Sequence, residues 1–159
     1  MGLPRTETYT RDGNGLRHVL FSHDQLVDYA FASAYPAYQF PLETGKSWSI
    51  RVVATVPGQS QTRSVRVDAE VLGPERVTVG AGTFDTIRIR RQVYAGDAGL
   101  PYTETQILEY EWYAPALGRM VRSETKSRFL NFAMGGDDGG RLEVNGDWNV
   151  LELNRQGKN

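Results

Sequence analysis

The chain has 159 residues, of which 40% are hydrophobic and 23% are charged, and its formal net charge is -1 at pH 7. This length suits one domain with one core, so we interpret residues 1–159 as a single domain. The composition excludes intrinsic disorder and a strongly basic surface, so we expect no nucleic-acid partner. The chain contains no cysteine, which excludes disulfides, thiolate metal sites and cysteine nucleophiles.

Apolar segments are too short to cross a membrane as helices. No apolar run approaches the roughly 20 residues that such a helix needs, so we predict no membrane span. Residues Met1–Pro4 lead straight into polar residues rather than into the apolar core of a signal peptide. If the natural protein is exported, we expect its leader to lie outside this sequence.

The amino-terminal part of the chain has the weakest pattern. Two strand-like pieces flank the turn-forming letters DGNG, and we interpret Thr6–Ser22 as a hairpin. Residues 24–39 lack clean alternation, and Pro36 is expected to end any regular element there. We interpret this stretch as a connection that contains another short strand.

Alternating apolar and polar residues predict two paired strands in the next part of the chain. Between Trp48 and Val56 the apolar residues fall on one face and the polar residues on the other. The pattern repeats between Val65 and Val71. The letters PGQSQ separate the two runs and favour a turn, which predicts a hairpin.

Two further alternating runs, Phe84–Tyr94 and Thr103–Tyr113, predict a second antiparallel pair. In the later run we place three residues on the apolar face and three on the wet face. These are Leu108, Tyr110 and Trp112 on the apolar face, and Thr105, Glu109 and Glu111 on the wet face.

This assignment of faces also predicts the register of the second pair, because opposed residues in antiparallel strands point the same way. The register must therefore superimpose polar residues on polar residues. It places Arg88 opposite Glu109, Thr86 opposite Glu111, and Ile89 opposite Leu108.

The pattern of the carboxyl-terminal part predicts further strands separated by turns or loops. Arg119–Arg128 predicts a polar strand near an edge, and the glycine-rich residues 134–140 predict a turn or loop. The Asn145-Gly146 pair predicts a hairpin between two short strands. We expect the tail, residues 154–159, to be disordered.

Strands at these intervals, with little helix, indicate an all-β fold. We predict an antiparallel meander that forms a barrel or a strongly curved half-barrel, so the single domain is barrel-like.

Residues with catalytic or metal-binding chemistry are present but poorly arranged for it. His18 and His23 lack a metal-ligand spacing, and the pair Asp137-Asp138 among glycines suits a turn better than a calcium site. Glu109 and Glu111 alternate onto the predicted wet face, whereas acid and base catalysis needs a desolvated carboxyl group. We therefore predict no catalytic residue, no metal ligand and no cofactor.

Aromatic residues cluster in two parts of the sequence and have two interpretations. They could fill the core and close the barrel, or they could line an apolar cavity at its mouth. For the second interpretation we predict that Trp48, Tyr110 and Trp112 line the ligand-binding cavity, with a volume of roughly 300 Å³ or more.

Three strings resemble a known family pattern. They are PLETGKSW at 41–48, ERVTVGAGTFDTIRIRR at 75–91 and EWYAPALGRMVRSE at 111–124. In order and spacing they resemble the bacterial exported β-sheet proteins grouped as domain of unknown function 3108, over residues 40–124. Gly80 stands where that family more often has a proline. The resemblance implies a barrel-like antiparallel fold and a periplasmic or envelope location, and it brings no catalytic residues.

Three hypotheses about function follow. The leading one is a non-enzymatic periplasmic or envelope module that binds an apolar small molecule, a lipid or an envelope protein. The alternative is a structural interaction domain with a filled core, which engages partners through an exposed edge strand. The third is a hydrolase that acts on envelope material.

Overall fold

The computed structural model describes residues 8–9, 15–17, 30–31, 35–55, 62–96, 103–131 and 142–155, and they are almost entirely strands. A short 3-10 helix, Pro115–Leu117, joins two of them. The strands are β1 (Thr8–Tyr9), β2 (Gly15–Arg17), β3 (Ala30–Phe31), β4 (Tyr35–Pro36), β5 (Ser47–Thr55), β6 (Thr62–Val79), β7 (Gly82–Gly96), β8 (Thr103–Ala114), β9 (Arg119–Asn131) and β10 (Leu142–Glu152).

The longer strands form one antiparallel sheet of seven strands in the order β10-β9-β8-β7-β6-β5-β3. From β5 to β10 each strand pairs with the next in the chain, so the sheet is a meander. Within the described residues its two edges do not meet, and the sheet is a strongly curved half-barrel. The predicted all-β meander is confirmed, in its open form.

The amino-terminal strands agree with the sequence where the structure describes them. β1 and β2 pair antiparallel, which confirms that part of the hairpin predicted for Thr6–Ser22. β2 also pairs with β4 in a separate three-stranded sheet. In the range 24–39, where one short strand is expected, the described residues include two, β3 and β4, whereas residues 24–29 and 32–34 lie outside the described residues.

The large sheet has two faces, which we call inner and outer. The inner face carries Val67, Val93 and Ile107, which belong to a buried cluster. A second inner cluster forms where residues 37–46, which we call the strap, pack against the sheet beside Trp48 and Ile89. A third cluster surrounds Trp112 on the outer face, near the turn between β6 and β7. The apolar core is therefore divided between the two faces.

A bulge in β6 allows this strand to contribute apolar side chains to the clusters on both faces of the sheet. The register with β7 shifts between Val71 and Gly73, so Val71 faces the inner core whereas Val77 packs beside Trp112. Gly73 has a φ of +119°, a conformation that residues with a side chain rarely adopt. On the strap side, Val71 donates to the Lys46 carbonyl oxygen and accepts from the Gly45 amide, at 2.9 and 2.8 Å.

The predicted register between β7 and β8 is wrong. The structure pairs Arg88 with Trp112, Ile89 with Glu111 and Arg91 with Glu109. None of the three predicted pairs, Arg88 with Glu109, Thr86 with Glu111 and Ile89 with Leu108, is present. The two faces of β8 are also exchanged, because Thr105, Glu109 and Glu111 point inward and are buried. The cause is Arg91, whose inward side chain provides a buried cation for the two carboxylates.

The hairpin predicted around Asn145-Gly146 is also wrong. β10 is one strand that pairs with β9 on both sides of this position, and its register shifts between Asn145 and Trp148. The glycine therefore falls at a bulge rather than in a turn. Asn154 lies against Gly80, whereas residues 156–159 of the predicted disordered tail lie outside the described residues, as do residues 134–140.

Replacing Gly73 by alanine tests the bulge that divides the core. We expect Gly73→Ala to lower the free energy of unfolding by about 1 to 3 kcal/mol from backbone strain alone. A Cβ at this position also comes within 3.0 Å of the Thr44 side chain, which adds a clash. The measurement is urea unfolding followed by tryptophan fluorescence.

Two companion variants separate strain from clash. Gly45 also has a positive φ, but a Cβ there meets no atom within 4 Å, so Gly45→Ala should cost less than Gly73→Ala. Adding Thr44→Ala to Gly73→Ala should recover only the part of the loss that comes from the clash. Wild-type stability in the Gly73→Ala protein would contradict the role given to this glycine.

Candidate functional site

A groove of about 780 Å³ crosses the outer face of the sheet over β5, β6, β7 and β8. Its volume is typical of small-molecule sites in proteins. The residues that line it are Ser47, Trp48, Ser49, Asp68, Ala69, Glu70, Arg90, Gln92, Tyr94, Leu108 and Tyr110.

Cross-strand pairing explains why these side chains lie together. In one row of the sheet Ser49 pairs with Asp68, and Asp68 pairs with Gln92, which pairs with Leu108. In the adjacent row Glu70 pairs with Arg90, which pairs with Tyr110. Paired residues point to the same face, so both rows project outward. The inward position of Glu109 and Glu111 is what turns Leu108 and Tyr110 into this groove.

The charged groups of the groove are held in pairs. Arg90 donates to the Glu70 carboxylate at 2.7 Å, and the Ser49 hydroxyl donates to Asp68 at 2.7 Å. The guanidinium of Arg66 lies 3.0 Å from the other oxygen of Asp68. These contacts fix the positions of the carboxylates, although each pair is accessible to solvent and contributes little stability.

Arginines also hold the two tyrosines of the groove. The Arg66 guanidinium lies 4.3 Å from the ring centre of Tyr94, and that of Arg88 lies 4.5 Å from the ring centre of Tyr110. Such stacking restricts the orientation of a ring, because the cation is attracted to its face. The two tyrosine rings of the groove therefore have restricted orientations.

The structure separates the three residues predicted to line a cavity. Tyr110 projects into the groove, whereas Trp48 borders the groove but alternates with Ser49 and packs its side chain in the inner core. Trp112 lies apart from the groove, between the guanidinium groups of Arg88 and Arg122 at 5.0 and 4.9 Å. The aromatic clusters gave no signal for the polar lining, because they predict an apolar cavity at the mouth of a barrel rather than a groove on one face.

A buried ionic cluster lies on the inner face, directly behind the groove. Arg91 is 1% exposed, and its guanidinium lies 2.6 Å from Glu111 and 3.5 Å from Glu109. The Tyr38 hydroxyl donates to Glu111 at 3.0 Å. Arg91 also donates to the Ala37 carbonyl oxygen through two nitrogens, at 2.6 and 3.1 Å.

This cluster attaches the strap to the sheet. Tyr38 packs against Phe40 and Tyr113, with ring centres 6.0 and 5.0 Å away, so aromatic contacts surround the ionic ones. Burial raises the pKa of the Tyr113 hydroxyl above its ordinary value of 10.0, which keeps the ring neutral. Because Glu109 and Glu111 are 3% and 0% exposed, the carboxylates are closed to a substrate. The contacts of the cluster join the strap to β7 and β8.

The sequence did contain a signal for this cluster. Arg91 continues the inward series of Ile89 and Val93, and Glu109 continues that of Ile107. A cation and two acids at matching inward positions of neighbouring strands indicate a buried ion pair.

Metal-binding and membrane features are limited in the described part of the chain. It holds no group of three or more His, Asp or Glu residues that could bind a metal ion. Nor does it include a helix with the length and hydropathy to cross a membrane. The predictions about His18, His23 and Asp137-Asp138 lie outside the described residues.

Fold and site together define a class of protein: an open, strongly curved antiparallel sheet with a polar and aromatic groove on its outer face. Residues 35–128, more than half of the chain, match the model of the DUF3108-like family. The chain belongs to this family, which confirms the resemblance seen in residues 40–124. The comparisons with curated proteins and with solved structures found no match.

Removing the buried cation tests the ionic cluster. We expect Arg91→Met to lower the free energy of unfolding by about 3 to 5 kcal/mol, because it leaves buried carboxylates without their counter-charge. Arg90→Met is the matched control on the outer face. Its pair with Glu70 is exposed, so its loss should stay below about 1 kcal/mol.

Two further variants keep this test informative if Arg91→Met folds poorly. Tyr38→Phe removes one hydrogen bond and should cost about 1 kcal/mol. Adding Glu111→Gln to Arg91→Met should restore part of the lost stability, because it removes a buried charge. Equal losses for Arg91→Met and Arg90→Met would rule out the structural role of the cluster.

Proposed function

We propose that the protein is a non-enzymatic binding module of the bacterial cell envelope and that its ligand lies in the outer-face groove. The observation that carries this proposal is the groove itself, with about 780 Å³ of space and an ordered lining. A concave site with a few fixed polar groups among aromatic residues is typical of ligand binding.

The carboxylates of the groove favour binding over catalysis. The side chains of Asp68 and Glu70 are 39% and 40% exposed, and each lies beside an arginine. Acid and base catalysis instead needs a carboxyl group that burial or a like charge makes easy to protonate. Glu109 and Glu111 are buried on the inner face of the sheet, where no substrate reaches them. These arrangements make a hydrolase the weakest of the three hypotheses.

The family resemblance supports the envelope location. Proteins with this pattern are exported, and a groove on an exposed sheet face suits a module that meets its ligand outside the cytoplasm. The lining is more polar than a lipid cavity requires, since Gln92, Arg90 and the two serines alternate with Leu108 and the tyrosines. A ligand with both polar and apolar surface therefore fits this groove better than a purely apolar one.

Filling the groove tests the proposal. Gln92→Trp places a large ring at the centre of the lining, and we expect it to abolish ligand retention without unfolding the sheet. Arg76→Trp is the matched control, because it adds the same ring at an exposed position outside the groove. The measurement is native mass spectrometry of each protein purified from its own envelope.

The ligand masses found on the wild-type protein and on the two variants decide whether the groove is the binding site. A ligand mass on the wild-type protein and on Arg76→Trp, but not on Gln92→Trp, supports the groove. A ligand mass that persists on Gln92→Trp rejects it, and so does the absence of any ligand on the wild-type protein.

A second candidate function rests on the edge strand β10. This strand ends the seven-stranded sheet, and Trp148, Val150 and Leu151 on it are 66%, 46% and 46% exposed. An edge strand with exposed apolar side chains can pair with an extended segment of another protein. This candidate is the alternative hypothesis drawn from the sequence, a structural interaction domain.

Photo-crosslinking in the native envelope tests the edge strand. A crosslinking residue at position 150 should give one adduct of defined mass, and the same residue at position 76 should give none. Leu151→Lys should remove the adduct, because a lysine on an edge strand opposes further pairing. Equal crosslinking from both positions would count against a partner at β10.

A further inference from the structure

We infer that the groove binds an uncharged saccharide chain, which crosses the strands from Gln92 on β7 to the exposed Trp148 on β10. This inference rests on the proposed function, and it adds the chemical class of the ligand and a contact outside the groove. Four features of the outer face support it.

The first feature is the balance of charge along the outer face. Arg90 is paired with Glu70, and Asp68 with Arg66 and Ser49. Farther along the same face Lys126 lies 3.4 Å from Glu124. A charged ligand would have to separate one of these pairs, whereas a neutral ligand leaves each in place. The surface therefore favours an uncharged ligand.

The second feature is the set of polar groups that have no partner. Among the residues that the structure describes, the Gln92 amide and the hydroxyls of Ser47, Tyr94 and Tyr110 make no hydrogen bond within the protein. These groups are neutral, and together they offer both donors and acceptors. Sugar hydroxyls are themselves donors and acceptors, so a saccharide can satisfy this mixture.

The third feature is the lack of free backbone on a sheet face. The backbone groups of β6, β7 and β8 are used in pairing with neighbouring strands. An extended peptide therefore cannot add itself as a strand here, although it could do so at an edge. Recognition over the groove must come from side chains alone, which is how a saccharide would be bound.

The fourth feature is the position of Trp148. Leu108 in the groove pairs with Lys126, which pairs with Trp148, so all three lie on the outer face in one row. The Trp148 indole donates to Glu124 at 3.1 Å and lies 5.4 Å from the Lys126 ammonium, yet 66% of the residue is exposed. An indole fixed in this way presents a flat apolar surface on which a sugar ring can stack.

Strand spacing sets the size of the ligand. Three steps of about 4.8 Å each separate β7 from β10, so Gln92 and Trp148 lie roughly 14 Å apart along the row. A single sugar is too short to reach both contacts, whereas a chain of several units can. A lipid tail fits less well, because polar side chains interrupt the apolar surface between Tyr94 and Tyr110.

Titration with uncharged oligosaccharides tests the inference. The probes are cellohexaose, hexa-N-acetylchitohexaose and maltohexaose, each added to the full chain and followed by calorimetry up to millimolar concentrations. We expect the wild-type protein to bind at least one of them. Trp148→Ala and Gln92→Ala should each weaken binding about tenfold, the effect of losing one well-made contact.

Val53→Ala is the matched control. Val53 is 46% exposed on β5, but it lies outside the lining of the groove and away from the row that joins Gln92 to Trp148. This variant should bind as the wild-type protein does. Thermal unfolding of each variant, followed by circular dichroism, confirms that the sheet is intact.

The outcomes separate this inference from the proposed function. Binding of phosphatidylethanolamine vesicles instead of oligosaccharides, lost in Gln92→Trp, overturns the saccharide and keeps the groove. Oligosaccharide binding that is unchanged in both Gln92→Trp and Trp148→Ala overturns the groove as its site. Both proposals are overturned if the wild-type protein binds neither the oligosaccharides nor the vesicles and carries no ligand from the envelope.

Discussion

The buried pairing of Arg91 with Glu109 and Glu111 is the interaction on which the rest of this structure depends. Strand residues alternate strictly between faces, so placing two acids of β8 inward also places Leu108, Tyr110 and Trp112 outward. The same pairing fixes the register of β7 and β8, and it holds the strap through Ala37 and Tyr38. The outer-face groove is thus a consequence of the ionic cluster behind it.

Such a cluster contributes less to stability than its short distances suggest. Taking three charged groups out of water is costly, and well-packed apolar side chains of the same volume can stabilise a protein as much or more. Its value here lies in specificity, since a shift of β8 by one residue would leave Arg91 buried without its carboxylates. The sheet therefore has one register that satisfies the buried charges.

An irregular position in β6 divides the core between the two faces of the sheet. The bulge at Gly73 lets β6 contribute to the inner core before it and to the outer cluster around Trp112 after it. Before the bulge, the outer side of β6 carries Asp68 and Glu70, and the groove lies over that part of the strand. This member of the DUF3108-like family thus has a core divided between the two faces of its sheet and a polar surface over β5 to β8.

The sequence by itself determined the all-β class and the paired strands β5 and β6 with their faces. Those features depend on neighbouring residues, because alternation and turn chemistry are local. Only the tertiary structure decided the faces of β8, the continuity of β10 past Gly146, and the groove. Each of these depends on a partner distant in the chain: Arg91 for the two acids, β9 for the bulged strand, and adjacent strands for the groove. Local alternation alone predicts that charged residues face solvent. Glu109 and Glu111 instead face inward, because Arg91 on another strand provides a buried counter-charge.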